Sequence, residues 1–405
     1  MKNVIVGQSG GPTAVINSSL LGVFKTAKDR GADVVYGMVH GIKGLIDGEI
    51  INLGDVIKTT LDMDLLKRTP SSFLGSCRYK LPNADADESV YQKIFATLKK
   101  LDVSHFFYIG GNDSMDTIKK LYDYGKKIGS SVHFMGVPKT IDNDLDQTDH
   151  TPGFGSSAKF IATVSKEIIR DGLVYDYPTV TVMEIMGRNA GWLTAATALA
   201  KGEDCEGVDA ILLPEVAFDE EKFLSKIKKL LADGRSMVIA TSEGLKTADG
   251  KYVCERSEKV DYVDAFGHKQ LSGTARYLAG IIAQNFGVKT RVIELSSLQR
   301  CCAHSVSRID LTEAFNVGGA AVKLSFEGHS GEMITLKRVS DDPYICITES
   351  VDVSKVANVE KKVPREWITD DGMGVKEQLV HYIRPLIQAE IAPLWVDGLP
   401  RHVKL

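Results

Sequence analysis

The run Val137-Pro138-Lys139-Thr140-Ile141-Asp142-Asn143-Asp144-Leu145-Asp146 decides how this chain folds. A strand over 131–137 leads into it, and Pro138 blocks further pairing because it has no N–H to donate. The loop that follows carries three acids, one amine and one hydroxyl within eight residues. Loops at the carboxyl ends of strands are where open α/β sheets bind ligands. A carboxylate there can take a proton, and a lysine beside it can hold a negative oxygen. Taken alone, the run reads first as a solvated turn, since Asp and Asn are ordinary turn residues.

The same grammar of strand, polar turn and helix recurs on both sides. Upstream, Val4-Ile5-Val6 reads as a buried parallel strand closed by Gly7. Gln8-Ser9-Gly10-Gly11-Pro12-Thr13-Ala14 follows, then a helix over about 15–29. A glycine turn opening a helix is a phosphate cradle, with Gly10 and Gly11 letting an anion approach the amides. A second strand is expected over 33–38, a loop or short hairpin over 42–53, and a helix over 87–101. The strand over 104–109 delivers Gly110-Gly111-Asn112-Asp113-Ser114 and a helix to about 128, a second anion site with an acid inside it. Asn112, Asp113 or Ser114 could instead cap that helix.

Downstream, a helix over about 157–171 and a strand over 179–185 lead to Met186-Gly187-Arg188-Asn189-Ala190-Gly191-Trp192. Strands over 209–213, 236–241 and 290–295 alternate with helices over 220–232 and 271–286. The 236–241 strand ends in Ser242-Glu243-Gly244, and the last ends in Ser296-Ser297-Leu298-Gln299-Arg300. A helix, alone or with a strand, is expected over 312–326, then short strands and a helix over 374–390. Alternating strands and helices predict α/β architecture: two Rossmann-like domains, mostly parallel sheets flanked by helices, with the active site in the cleft between them. Residues 1–140 form the first domain, completed by about 250–300. Residues 141–250 form the second, completed by about 301–330. Residues 331–405 are a C-terminal extension without assigned packing.

The 405 residues are 43% hydrophobic and 25% charged with net charge −4, a balance that excludes general attraction to nucleic acid or an anionic membrane. The six cysteines have no C-x-x-C spacing, and Cys301-Cys302 are adjacent. They read as reduced thiols of a cytoplasmic protein. No stretch approaches 18 apolar residues and no signal peptide is expected. His133, His150, His268 and His304 sit at no metal-ligand spacing and read as surface or satisfied histidines. Walker A is absent, whereas Gly7-Gln8-Ser9-Gly10-Gly11 matches the G-x-S-x-G elbow of α/β-hydrolases.

The strand-end loops form an ordered set: GGPTAVIN at 10–17, GSCR at 75–78, GGNDSMDT at 110–117, PKTIDNDLD at 138–146, MGRNAGW at 186–192, SEG at 242–244 and LQR at 298–300. This set resembles the phosphofructokinase family over about residues 1–325. The resemblance implies phosphoryl transfer to the 1-hydroxyl of fructose 6-phosphate with Mg2+. It implies Asp142 as the base, and Thr140 holding the transferred group. Arg78 and Arg188 would neutralise the transition state. The sugar phosphate would be positioned by Thr140, Ile141 and Asp142 in one loop, Met186, Gly187 and Arg188 in another, and Glu243, Arg291 and Arg300. Gly10, Gly11, Gly111, Ser114 and Lys139 would hold the donor, and Asn112, Asp113 and Asp144 the metal. A homodimer or homotetramer is the family habit.

Two positions bear on the donor. ATP users resemble one another in having glycine at the places of Asp113 and Lys139. A carboxylate at 113 would repel an α-phosphate: two unit charges ~4 Å apart at an effective dielectric of ~20 interact by ~4 kcal/mol. Lys139 can reach pyrophosphate. The expected donor is therefore pyrophosphate, in a reversible reaction, as in the pyrophosphate-dependent branch. The alternatives are an ATP-dependent kinase, a hydrolase using Ser9, or a silent sugar-phosphate binder. Asn112 departs from the family's usual aspartate. Ser297 and Thr179 depart from a histidine and an arginine of the bacterial ATP enzymes, which leaves the 6-phosphate pocket unassigned.

Overall fold

Val4, Ile5 and Val6 are each fully buried, so the first strand faces protein on both sides. Burial of each such side chain is worth about 1.5–3 kcal/mol. The structure is a computed structural model that describes residues 2–256 and 271–405; His268, read from the sequence as a surface or satisfied histidine, lies outside them. In chain order the strands are β1 (Asn3–Gln8), β2 (Val35–Met38), β3 (Ile50–Asn52), β4 (Val103–Gly110), β5 (His133–Pro138), β6 (Thr179–Ile185), β7 (Ala210–Leu212), β8 (Met237–Ser242), β9 (Lys289–Glu294), β10 (Glu332–Asp341) and β11 (Tyr344–Asp352).

They form two main sheets. The larger has the order β11-β10-β5-β4-β1-β2-β3, the smaller β7-β8-β6-β9. The smaller sheet is wholly parallel. In the larger, β3 and β11 are antiparallel edges on a parallel centre. Alternate residues of a strand face opposite ways, and the core divides accordingly. Val4, Val6, Phe107 and Ile109 pack with the helices Ile16–Asp29 and Arg308–Phe326. Ile5, Phe106 and Tyr108 face the helices Glu88–Lys100 and Asn112–Lys127. Helices Ile16–Asp29 and Arg308–Phe326 cross at glycines: a Cβ on Gly22 would lie 2.1 Å from the Phe315 carbonyl oxygen, and one on Gly318 2.2 Å from that of Ser19.

Three expectations are corrected, and one open assignment is filled. Residues 42–53 are not a hairpin: Gly41–Asp47 is helical, with Ile42 and Leu45 fully buried one turn apart, and only Ile50–Asn52 is a strand. The domain completions were misassigned. β9, within 250–300, pairs with β6 in the smaller sheet, while Arg308–Phe326 packs on the larger lobe. The C-terminal residues, whose packing the sequence left unassigned, join both lobes: β10 extends the larger sheet beside β5, and Val363, Ile368 and Leu379 enter the core of the smaller lobe. The helix expected over 374–390 is shorter, Glu377–Ile383, followed by a 3-10 turn through Arg384–Ile387 that includes Pro385.

Candidate active site

Parallel pairing brings the key loops together. Gly110 pairs with Pro138 at the ends of β4 and β5, and Lys139 N–H donates to Gly110 O at 3.0 Å. The Ser9 N–H donates to Ile109 O at 2.9 Å, which aligns the β1 turn with them. From the smaller sheet, Glu243 N–H donates to Ile185 O at 3.0 Å and Gly244 N–H to Gly187 O at 3.2 Å. These strand ends enclose a cleft of about 650 Å³. It is lined by the glycine turn Gly10-Gly11, by residues 111–114, by Lys139 through Asp142 with Asp144, and by Met186, Arg188, Glu243 and Arg300; Arg78 is there as well. Gly187 stands beside the cleft, its N–H 3.5 Å from Glu243 Oε1.

Lys139 is 2% exposed. Its Nζ donates to Gly11 O at 2.5 Å. Burial depresses its pKa to about 8, although Asp142 and Asp144 pull the other way. Burial raises the Asp142 carboxyl, opposed by Lys139 and by the Thr140 hydroxyl. Thr140 Oγ1 lies 3.4 Å from Asp142 Oδ2 and accepts the Asp142 N–H at 3.1 Å. Between the two acids, Asn143 takes a left-handed φ of 55°, a conformation Asn tolerates better than most residues. Its side chain is fully buried, accepting from Thr151 N–H and donating to Tyr382 Oη. Asp144 is pushed up to about 7 by burial and the neighbouring Asp142. Glu243 is raised to about 7 by burial and by Asp142.

Helix Asn112–Lys127 has Gly111 as its N-cap with no side-chain cap bond, so Asn112, Asp113 and Ser114 are not caps. Asn112 Nδ2 donates to Val359 O at 2.9 Å, while its Oδ1 is buried with no partner. Asp113 is exposed on the cleft wall. The Arg300 guanidinium donates to Ser297 Oγ at 3.3 Å, and its Nε is buried without a partner. The orphaned Asn112 oxygen and the Asp144 carboxylate line the same cleft, and together they fit a hard divalent cation, which takes oxygen ligands.

Arg291 does not join this cleft. It sits on edge strand β9, paired with Asp171 at 3.0 Å and stacked over Tyr175. Thr179 is buried with its hydroxyl at Ser236 Oγ. His150 is satisfied but not at the surface: its ring nitrogens meet Asp149 and Glu313 at 2.8 and 2.7 Å. Burial opposes its charge, yet Glu313 and Asp149 hold its pKa at about 9. No histidine lies among the described residues lining the cleft, so among those residues Ser9 has no histidine of the kind a hydrolase uses as base. Sequence reasoning missed Asn189, Asn358 and Glu360, which also line it. The last two come from a segment whose pattern carries no periodic signal. All six cysteines are free thiols, and no helix among the described residues is long and apolar enough to cross a membrane.

The Phosphofructokinase family model matches residues 3–325. The pyrophosphate–fructose 6-phosphate 1-phosphotransferase of Halomonas elongata is 38% identical over 407 residues, spanning 100% of this chain and 96% of the relative. Its namesake from Xanthomonas campestris pv. campestris is 40% identical over 407 residues, with the same coverage. The crystal structure of the pyrophosphate-dependent phosphofructokinase from Nitrosospira multiformis superposes with a TM-score of 0.90 at 36% identity, covering 100% of this chain and 96% of that one.

Proposed function

The chain belongs to the phosphofructokinase family, and from that premise we propose that it transfers a phosphoryl group from pyrophosphate to the 1-hydroxyl of fructose 6-phosphate. The products are fructose 1,6-bisphosphate and phosphate, and the reaction runs in both directions. The observation that carries the donor assignment is the buried Lys139 ammonium, set 2.5 Å from the Gly11 carbonyl at the floor of the glycine turn. Its hydrogen-bond partner there is a neutral carbonyl, and a bare diphosphate would supply an anionic one. Asp113 faces the same space and opposes a longer polyphosphate chain.

Asp142 accepts the hydroxyl proton. Burial lifts its carboxyl above the ordinary range, which strengthens it as a base. Thr140 fixes that carboxylate and faces the transferred group. Arg78 and Arg188 meet the charge spread over the equatorial oxygens. Glu243, when ionised, accepts sugar hydroxyls, and Met186, Ile141 and Arg300 complete the sugar end. Asn112 and Asp144 hold the divalent cation, read as Mg2+, with Asp113 at its edge; when bound, it neutralises phosphate charge and orients the donor. Arg291, outside this chain's own cleft, acts only across copies, consistent with a cytoplasmic homodimer or homotetramer. A coupled assay with fructose 6-phosphate, Mg2+ and pyrophosphate tests the reading: absence of product sinks it.

A further inference from the structure

Residues 358–361 cross the mouth of the cleft as a strap fixed at several points. Asn112 Nδ2 donates to Val359 O at 2.9 Å. Lys361 N–H donates to Asp144 O at 2.8 Å, and Leu145 forms an antiparallel bridge with Glu360. On the opposite lobe, Asn189 Nδ2 donates to Glu360 Oε1 at 2.9 Å. Glu360 is thereby suspended in the same cleft as Asn112, Asp113 and Asp144.

The strap explains why an amide stands at 112. Only an amide can donate to the Val359 carbonyl on one side and offer an oxygen on the other; a carboxylate has no donor. With Nδ2 engaged by the strap, Oδ1 is turned away from it, buried and unpartnered. Leaving such an acceptor unmet is costly. A cation meets it, but a neutral oxygen cancels none of the cation's charge. Hard divalent cations are tuned by the number of charged oxygen ligands.

We propose that Glu360 is the additional anionic group of the divalent-cation site, joining the Asn112 amide oxygen and the Asp144 carboxylate, and that the Asn112–Val359 bond delivers it. The inference rests on the phosphoryl-transfer reading for its setting, and it assigns a site function to the C-terminal strap. The buried His150, Glu313 and Cys346 cluster offers no rival site, because both ring nitrogens already meet carboxylates.

The test is Mn2+ binding to the full resting chain, followed by electron paramagnetic resonance without substrates. Glu360→Gln removes the charge but keeps the oxygen that Asn189 engages. It should raise the Mn2+ dissociation constant by at least about tenfold, the scale typical of lost metal-site support. Glu360→Asp keeps the charge on the strap and the Asn112–Val359 bond intact, and should hold affinity to within about threefold of wild type. An unchanged dissociation constant in Glu360→Gln would overturn the inference. So would an equal loss in Glu360→Asp and Glu360→Gln, because that pattern belongs to strap packing and not to charge. Wild-type turnover with pyrophosphate is scored separately. Its failure would sink the proposed reaction while leaving the Mn2+ result to decide the role of Glu360.

Discussion

Replacing Lys139 with methionine separates the stability of this cleft from its chemistry. The ammonium is 2% exposed, and burial brings its pKa from 10.5 to about 8. That shift is about 2.5 units, and each unit is worth about 1.36 kcal/mol, so holding the charged form in the resting protein costs about 3 kcal/mol. The sign follows from linkage. A lysine whose folded pKa is depressed penalises the fold below about pH 8, and the penalty lifts as pH rises towards 10.5. Methionine has nearly the same length and no charge, so Lys139→Met removes the penalty. The gain is trimmed because Asp142 and Asp144 lose a neighbouring cation. We expect a net gain of about 1–3 kcal/mol at pH 7 by urea unfolding. The same change deletes a preorganised donor to the phosphates and should lower kcat/KM for pyrophosphate about 10²–10³-fold. Pyrophosphate should protect wild type from urea and leave the variant unprotected. A variant less stable than wild type that still turns over pyrophosphate would refute this account of the ammonium.

Further outcomes follow from the same geometry. Asp142→Asn should lower kcat about 10²–10⁴-fold while the KM for fructose 6-phosphate stays within about threefold, as steady-state kinetics would show. Glu243 has its pKa raised from 4.5 to about 7, so it favours the fold at low pH and loses that contribution as pH rises through about 7. In the proposed reaction its ionised form is the one that accepts sugar hydroxyls. The KM for fructose 6-phosphate should therefore fall as pH rises through about 7, and Glu243→Gln should flatten that dependence. A Cβ on Gly244 would lie 1.9 Å from the Arg188 carbonyl oxygen, which is backbone. Gly244→Ala should cost about 1–3 kcal/mol of stability and raise the KM by displacing Arg188, measured by thermal melts beside kinetics.

What could be read in advance follows physical range. β6 was legible to the residue at Thr179–Ile185, because it opens on four consecutive β-branched residues, Thr179 to Val182, which favour a strand. The loops at the ends of β4, β5, β6 and β8 were legible because chemistry crowds into short, turn-bounded strings. The helix start at Phe154, three residues ahead of expectation, was not. Its first turn is held by Asp310, 157 and 154 residues away, whose carboxylate accepts Gly153 N–H and Ser156 N–H at 2.8 Å each. Nothing local announces that partner. The domain completions failed for the same reason, since the pairing of β9 with β6 and of β10 with β5 is decided by sheet edges far apart in sequence. Glu360 and Asn358 escaped because a strap with no hydrophobic period looks like any polar loop until the fold lays it across the cleft. Arg291 was named through the resemblance alone, and in a single chain it pairs with Asp171 instead.

The central claim is that a cleft walled by Lys139 and Asp113 takes a bare diphosphate and turns away an adenosine-bearing donor. One coupled assay decides it, with the purified chain, fructose 6-phosphate and Mg2+, run side by side with pyrophosphate and with ATP. Fructose 1,6-bisphosphate should form with pyrophosphate and not with ATP, and the change Asp113→Gly with Lys139→Gly should weaken pyrophosphate use and admit some ATP. Product formed from ATP by the unaltered chain, with none from pyrophosphate, would contradict it.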